Sequence, residues 1–227
     1  MKFRGNKDKQ KKLLYRRIRR VLYPHVILIS GVFIIIVVTL VFAFYFEYKG
    51  FKFASSLLSS ISTGLITGLV LCLISASKDV VLYKYNQQKQ WLENMHKMIK
   101  EFITLHYSMY RSNEKIANEE EVSEIDDVLI CVKKINDTIF YSSEKEHLWF
   151  DGYKYSKKYY EYDAVEMDKY IQEVRDKING ITIGTHRKIV IEYFEELFEI
   201  LFNLNGMVME DYKEIELRLS ILNRSIL

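Results

Sequence analysis

Residues 26–46 and 54–77 form two uncharged, mostly apolar stretches separated by a short connector. Each is longer than the ~20 apolar residues that an α-helix needs in order to cross ~30 Å of hydrocarbon. Inside a bilayer no water bonds the backbone, so each stretch has to satisfy its own peptide groups as a helix. The sequence therefore predicts a membrane protein with two transmembrane helices.

The second stretch is rich in small residues that recur every four positions and include a Gly-x-x-x-Gly pair. Such ladders let helix backbones approach closely and favour self-association in membranes. We expect a homo-oligomer, with Gly64, Gly68, Cys72 and Ala76 in the helix contacts. The complete ladder is Ser56, Ser60, Gly64, Gly68, Cys72 and Ala76.

One face of the same stretch changes from hydroxyl to apolar side chains along its length. A polar vestibule leading to an apolar constriction suits a pore that closes by dewetting. The alternative is packing, since Ser and Thr in membrane helices commonly bond back to the carbonyl four residues earlier. The candidate pore-lining residues are Ser56, Ser60, Thr63, Thr67, Leu71 and Ile74.

The first 20 residues carry ten Lys or Arg and one acid, whereas the rest of the chain has a net charge of −6. Positive flanks stay in the cytoplasm, so we predict a multi-pass protein with both termini cytoplasmic. Residues 1–23 are expected to form a basic amphipathic helix on anionic lipids. Its candidate membrane-surface residues are Arg16, Arg17, Arg19 and Arg20.

Beyond the second stretch, apolar residues repeat with 4-3 spacing and no helix breaker intervenes before about residue 112. This 3.5-residue repeat predicts a helical stalk over 78–117, which pairs either with its own copies or with later helices. The seam comprises Val81, Tyr85, Gln88, Leu92, Met95, Ile99, Phe102, His106 and Met109.

Residues 118–227 are predicted to be a cytoplasmic helical sensor domain. Amphipathic patterns place helices at 122–139 and 165–178, and Thr185 is expected to cap a further helix. Asn205-Gly206 is predicted to end that helix before a last one at 212–222. The fold class is thus all-α: a transmembrane helical hairpin (24–77), a long stalk and a helical bundle.

Few residues suggest chemistry. We predict no enzyme or cofactor, because the sequence contains no Walker, nucleophile-elbow, metalloprotease or nuclease motif. We also predict no metal site, because the two Glu-x-x-His pairs, at Glu93 and Glu144, do not complete a di-iron carboxylate pattern. The N-terminus of the helix after Thr185, with its basic residues, could receive a phosphate. In the stretch from Lys154 to Tyr160, tyrosine rings could stack on the bases of a nucleotide or oligonucleotide while lysines neutralise its charge. The alternatives are an ordinary cap on a solvated basic turn and a partly buried, snorkelling segment at the edge of the bundle. The candidate ligand residues are His186, Arg187, Lys188, Lys154, Lys157 and Lys158.

The chain combines a basic N-terminal helix with two spans joined by a short outer turn. The second span is Ser-rich and ends Leu73-Ile74-Ser75-Ala76-Ser77, and a helical tail with Trp91 and His96 follows it. This layout resembles the SLATT-type two-transmembrane effectors of bacterial nucleotide-signalling systems. The layout is also similar to the membrane component of Hailong-type nucleotidyltransferase defence systems. The resemblance covers about residues 10–110. It implies a pore-forming or membrane-perturbing oligomer, controlled by a nucleotide in antiphage defence.

We therefore expect a homo-oligomeric channel or membrane-disrupting effector of the bacterial inner membrane, gated through its cytoplasmic helices. The alternative is a membrane-anchored scaffold that recruits a soluble regulatory or partner protein. A third hypothesis is an integral-membrane enzyme, but the sequence shows no convergent set of polar residues at the membrane face.

Overall fold

The computed structural model describes the backbone of residues 6–110, 115–141 and 150–224, and their side chains except those of 6–22, 24 and 25. These ranges are all-α, as predicted, with an isolated bridge between Lys115 and His186 and no strand. The helices are α1 (Asn6–Tyr48), α2 (Lys52–Ser108), α3 (Glu119–Tyr141), α4 (Gly152–Tyr159), α5 (Ala164–Ile178) and α6 (Arg187–Arg224).

The chain divides at residue 84 into two compact units. The first contains α1 and the beginning of α2, joined by a tight turn in which Gly50 adopts φ +80°. This left-handed conformation is open to glycine and unfavourable for a residue with a Cβ atom. Both helices are long and apolar enough to span a membrane, and most side chains of their apolar stretches are exposed.

The N-terminal basic segment is continuous with the first apolar stretch. α1 runs from Asn6 to Tyr48 without interruption, so a helix lying on the membrane surface would need a bend that this structure does not contain. The side chains of Arg16, Arg17, Arg19 and Arg20 lie outside the described residues, and their contact with lipid stays a prediction.

In the second unit, the stalk seam is buried inside the single chain. Its residues from Leu92 to Met109 are at most 3% exposed, whereas Val81 is 37% exposed. They meet apolar side chains that recur at three- and four-residue spacing on the other helices, as expected for packed amphipathic helices. Later helices of the same chain, and not other copies, cover this part of the seam. The buried residues of α3 and α6 include Val128, Val132, Ile135, Ile139, Phe194, Leu197, Leu201 and Val208.

The short helices of this unit begin at aspartate caps. The Asp151 side chain accepts the Lys154 N–H at 3.1 Å, and the Asp163 side chain accepts the Val165 N–H at 2.9 Å. Each bond satisfies a backbone donor that the first turn of a helix leaves free. The caps therefore determine where α4 and α5 start.

The helix after residue 186 is longer than predicted. Asn205-Gly206 does not end it, and α6 continues to Arg224 as one element. Leu204 and Val208 on either side of the pair are buried, and the Asn205 amide oxygen lies 2.8 Å from His96 Nδ1. Tertiary packing therefore outweighs the local preference of Asn-Gly for a helix end.

Candidate functional site

The candidate site is the face of α2 that remains open after α1 has packed. The two helices contact each other through Ile36 and Ala43 on one side and Ser55 and Ser62 on the other, all at most 8% exposed. Thr39 Oγ1 and Ser62 Oγ share a hydrogen bond of 2.8 Å. The contact thus uses serines of α2 that belong neither to the small-residue ladder nor to the candidate pore-lining face.

The predicted ladder is only partly covered within the chain. Gly64 and Gly68 are exposed, and a Cβ atom built on either would meet no atom within 4 Å. Cys72 is half-buried and Ala76 is 6% exposed. The Gly-x-x-x-Gly pair is therefore not used for packing α1 on α2.

All six candidate pore-lining residues are exposed in the single chain. Leu71 is 62% exposed and Ile74 is 60% exposed. The geometry brings the six residues together as one continuous strip of α2. They are Ser56, Ser60, Thr63, Thr67, Leu71 and Ile74.

Three hydroxyl groups on this strip, those of Ser60, Thr63 and Thr67, donate to carbonyls of their own helix. Ser60 Oγ bonds the Ser56 carbonyl at 3.0 Å, and Thr67 Oγ1 bonds the Thr63 carbonyl at 3.1 Å. This is the back-bonding typical of membrane helices. The hydroxyl protons are engaged, so the oxygens offer acceptor lone pairs to water, a cation or a neighbouring helix.

The first group of candidate ligand residues has charged or aromatic partners on or near α4. Lys154 Nζ lies 3.4 Å from Asp151, Lys157 Nζ lies 2.9 Å from Asp163, and Lys158 Nζ lies 5.0 Å from the centroid of the Tyr159 ring. Each lysine therefore points to a different partner. The structure does not bring the three ammonium groups to a common binding position.

The second group lies at the start of α6, where Arg187 is neutralised. Its guanidinium bonds Glu121 Oε2 at 2.7 Å, and both side chains are less than a fifth exposed. The Thr185 hydroxyl accepts the Thr182 N–H at 3.1 Å, so it is engaged in the preceding turn. His186 and Lys188 are exposed. The Arg187 charge beside them is already paired with Glu121, so it does not add to a phosphate site at this position.

Two of the tyrosines interleaved with these lysines act as hydrogen-bond donors. Tyr155 and Tyr160 both donate to Asp211 Oδ2, the latter at 2.9 Å. Burial raises the pKa of the Asp211 carboxyl, and the neighbouring Glu214 raises it further. The interleaving of Lys and Tyr thus reflects the packing of α4 on α6, which a linear sequence does not indicate.

The structure also contains a cleft of about 380 Å³ between α5 and α6 that no sequence pattern indicated. Its floor is apolar, with Met167 and Leu204, and its rim carries Glu166, Glu196 and the Tyr170 ring. Desolvation and a hydrogen bond to Glu196 raise the pKa of Tyr170. A cleft of this charge would repel a phosphate, so it does not replace the predicted ligand sites.

An aromatic cluster surrounds the end of α2. The His106 ring stacks on Phe198 at 4.3 Å between centroids, and Phe198 contacts Phe202 at 5.6 Å. Tyr107 and Tyr110 join the cluster and are more than half exposed. The 3.5-residue repeat located His106 in the seam, but it does not indicate that Phe198 and Phe202 of α6 join the cluster.

The candidate metal pairs have no common geometry among the described residues. His96 bonds Asn205, and Glu144 and His147 lie outside the described residues. No protein-family model, curated protein or solved structure matches the chain.

Proposed function

We propose that this chain forms a homo-oligomeric channel or membrane-disrupting effector of the bacterial inner membrane. Its two spans would form a helical hairpin, and the cytoplasmic helical bundle would control it. The observation that carries the proposal is the open Gly64 and Gly68 face. Because α1 packs on the Ser55 and Ser62 side, this face is available to a second copy.

A pore needs several copies, since one chain contributes only two spans. Close contact through Gly64 and Gly68 would bring the neighbouring strip of each α2 toward a common axis. The carbonyl-bonded hydroxyls of Ser60, Thr63 and Thr67 would line its polar part, and Leu71 and Ile74 would form the apolar constriction. Control by a nucleotide in antiphage defence rests on the resemblance alone.

The test measures oligomeric state and ion flux in liposomes for matched glycine variants. Gly64→Leu and Gly68→Leu should abolish both, because the larger side chain separates the helix backbones. Gly31→Leu in α1 is the control, since Gly31 also has open space around it and lies outside the proposed contact. Leu71→Ser should raise the flux by removing the apolar constriction.

A wild-type chain that is a monomer in mild detergent and carries no ion flux would contradict the channel. An equal loss of flux in the Gly31→Leu and Gly64→Leu proteins would instead contradict the Gly64 contact, because it would indicate a general effect of leucine on membrane insertion. An inert, well-inserted Leu71→Ser protein would argue against the proposed constriction while leaving the oligomer contact in place.

A membrane-anchored scaffold is the second candidate, and the exposed aromatic cluster favours it. Tyr107, Tyr110 and Phe202 are each more than half exposed on one surface around Phe198. Aromatic residues are enriched in protein interfaces, so this surface suits a soluble partner. The scaffold predicts no ion flux in any variant, and the experiment above therefore separates the two candidates.

A further inference from the structure

A groove of about 740 Å³ lies between α2 and α3 in the second unit. Three lysines line it: Lys97 and Lys100 from α2 and Lys134 from α3. Asn94 and Glu101 complete the charged and amide groups of the lining. None of these residues belongs to the ligand sites that the sequence patterns suggested.

Contacts around Met98 hold the two walls of the groove together. Cys131 Sγ lies 3.8 Å from the Met98 carbonyl oxygen, and Thr138 Oγ1 lies 3.7 Å from Met98 Sδ. Cys131 and the neighbouring Val132 are buried. The lysines thus project from two helices whose spacing is set by packing.

The charge of the groove is unbalanced. Within the ranges that the structure describes, Lys97, Lys100 and Lys134 form no ion pair, whereas Lys89 and Lys157 each bond a carboxylate. All three groove lysines are exposed, and Glu101 is the one carboxylate in the lining. Three ammonium groups therefore face one acid.

This excess contrasts with the surrounding chain. Residues 85–227 carry 19 Lys and Arg against 27 Asp and Glu, so the region as a whole is acidic. A long polyanion such as a nucleic acid would extend beyond the groove over a region of net negative charge, which would repel it. A small anion that fits within the groove would meet three lysines and one carboxylate, Glu101.

The polar groups of the lining favour phosphate as the ligand. The Thr104 and Thr138 hydroxyls donate to the Lys100 and Lys134 carbonyls at 2.9 and 2.7 Å, so the free donors are the ammonium groups and the Asn94 amide. A singly charged anion would leave ammonium groups unmatched. Several phosphate groups would engage all three lysines through charge-assisted hydrogen bonds.

We infer that the α2–α3 groove binds a soluble anion carrying two or more phosphate groups, through Lys97, Lys100 and Lys134. The inference goes beyond the proposed function, because binding does not depend on whether the chain conducts ions or forms an oligomer. A phosphorylated lipid headgroup has the same chemistry and is the competing source.

The test is calorimetric titration of the full chain in detergent with inorganic tripolyphosphate, at constant ionic strength. Replacing the three groove lysines with Gln should weaken binding by at least about tenfold. The triple Gln variant of Lys154, Lys157 and Lys158 removes the same charge elsewhere and should bind like the wild type. Glu101→Gln should bind more tightly than the wild type, a gain that misfolding cannot produce.

Three results would overturn the inference: no binding by the wild-type chain, equal weakening in both triple variants, or no gain in Glu101→Gln. The source of the phosphate is decided by repeating the titration in phosphatidylcholine nanodiscs with and without phosphatidylinositol bisphosphate. Equal affinity in both supports a soluble anion. A large loss of affinity in the nanodiscs that contain phosphatidylinositol bisphosphate would assign the groove to the lipid headgroup and overturn the soluble ligand.

Discussion

The His106 imidazole is 2% exposed and stacks on Phe198, with Phe102 and Tyr110 close to its other edges. Neither ring nitrogen has a hydrogen-bond partner within the part of the chain that the structure describes. A buried polar atom without a partner costs about 1–3 kcal/mol. Desolvation lowers the pKa of His106 to about 4, so the ring is neutral at physiological pH.

His106 makes the stability of the folded chain depend on pH. In the unfolded chain it titrates near ~6.5, so between that value and about pH 4 the unfolded state binds more protons. Stability therefore falls as the pH decreases through this window, by up to about 3 kcal/mol. Chemical unfolding of wild type and His106→Phe from pH 7 to pH 4 should show a shallower loss in the variant.

The matched control for this measurement is His186→Phe, because His186 is exposed. Carboxylates that titrate near pH 4 are common to all three proteins, so the difference between the wild type and His106→Phe isolates the buried ring. The same pH slope in both would show that His106 is not a buried neutral group.

At the scale of elements, α6 shows how a buried face overrides a local signal. A glycine inside a helix costs up to about 1 kcal/mol relative to alanine. Burial of a large aliphatic side chain contributes about 1.5–3 kcal/mol, and Leu201, Leu204 and Val208 are all buried around Gly206. The helix therefore continues because its apolar face packs on both sides of the glycine.

This comparison predicts opposite effects of alanine at two glycines. Gly206→Ala should raise the free energy of unfolding by about 0.5–1 kcal/mol, since a Cβ there meets no atom within 4 Å. Gly184→Ala should lower it, because Gly184 has φ +92°. Chemical unfolding followed by circular dichroism measures both, and destabilisation by Gly206→Ala would indicate that α6 ends where the sequence suggested.

At the scale of the whole molecule, charge and apolar length predict an orientation in the membrane. Ten basic residues precede the first span, whereas the charged residues of the connector are Glu47, Lys49 and Lys52. By the positive-inside rule we expect the connector outside and both termini in the cytoplasm. Two helices of sufficient length and apolarity are the structural condition for this arrangement.

Cysteine labelling of intact cells tests the orientation. A membrane-impermeant thiol reagent should modify Lys49→Cys and should reach Lys213→Cys only after lysis. Cys72 is replaced by Ser in both proteins. Cys131 can stay, because it is buried and burial raises the pKa of its thiol to about 11. Labelling of Lys213→Cys in intact cells would contradict cytoplasmic placement of the helical region.

The features that can be predicted from the sequence are those that depend on one segment at a time. Uncharged apolar length predicts that α1 and α2 can span a membrane, and apolar spacing predicts α3, α5 and the buried seam from Leu92 to Met109. These signals are local, because each helix shows its buried face through its own periodicity.

The packing of the helices determines which face of each helix is used and which charged groups meet, and this could not be predicted from the sequence. The second span is apolar or small all round, so its sequence offers several packing faces, and α1 selects Ser55 and Ser62 while leaving Gly64 open. In the same way Glu121 engages Arg187, and the packing of α2 on α3 gathers the lysines of the groove. A contact between distant segments depends on both of the surfaces that meet, whereas the periodicity of one segment describes only the surface of that segment.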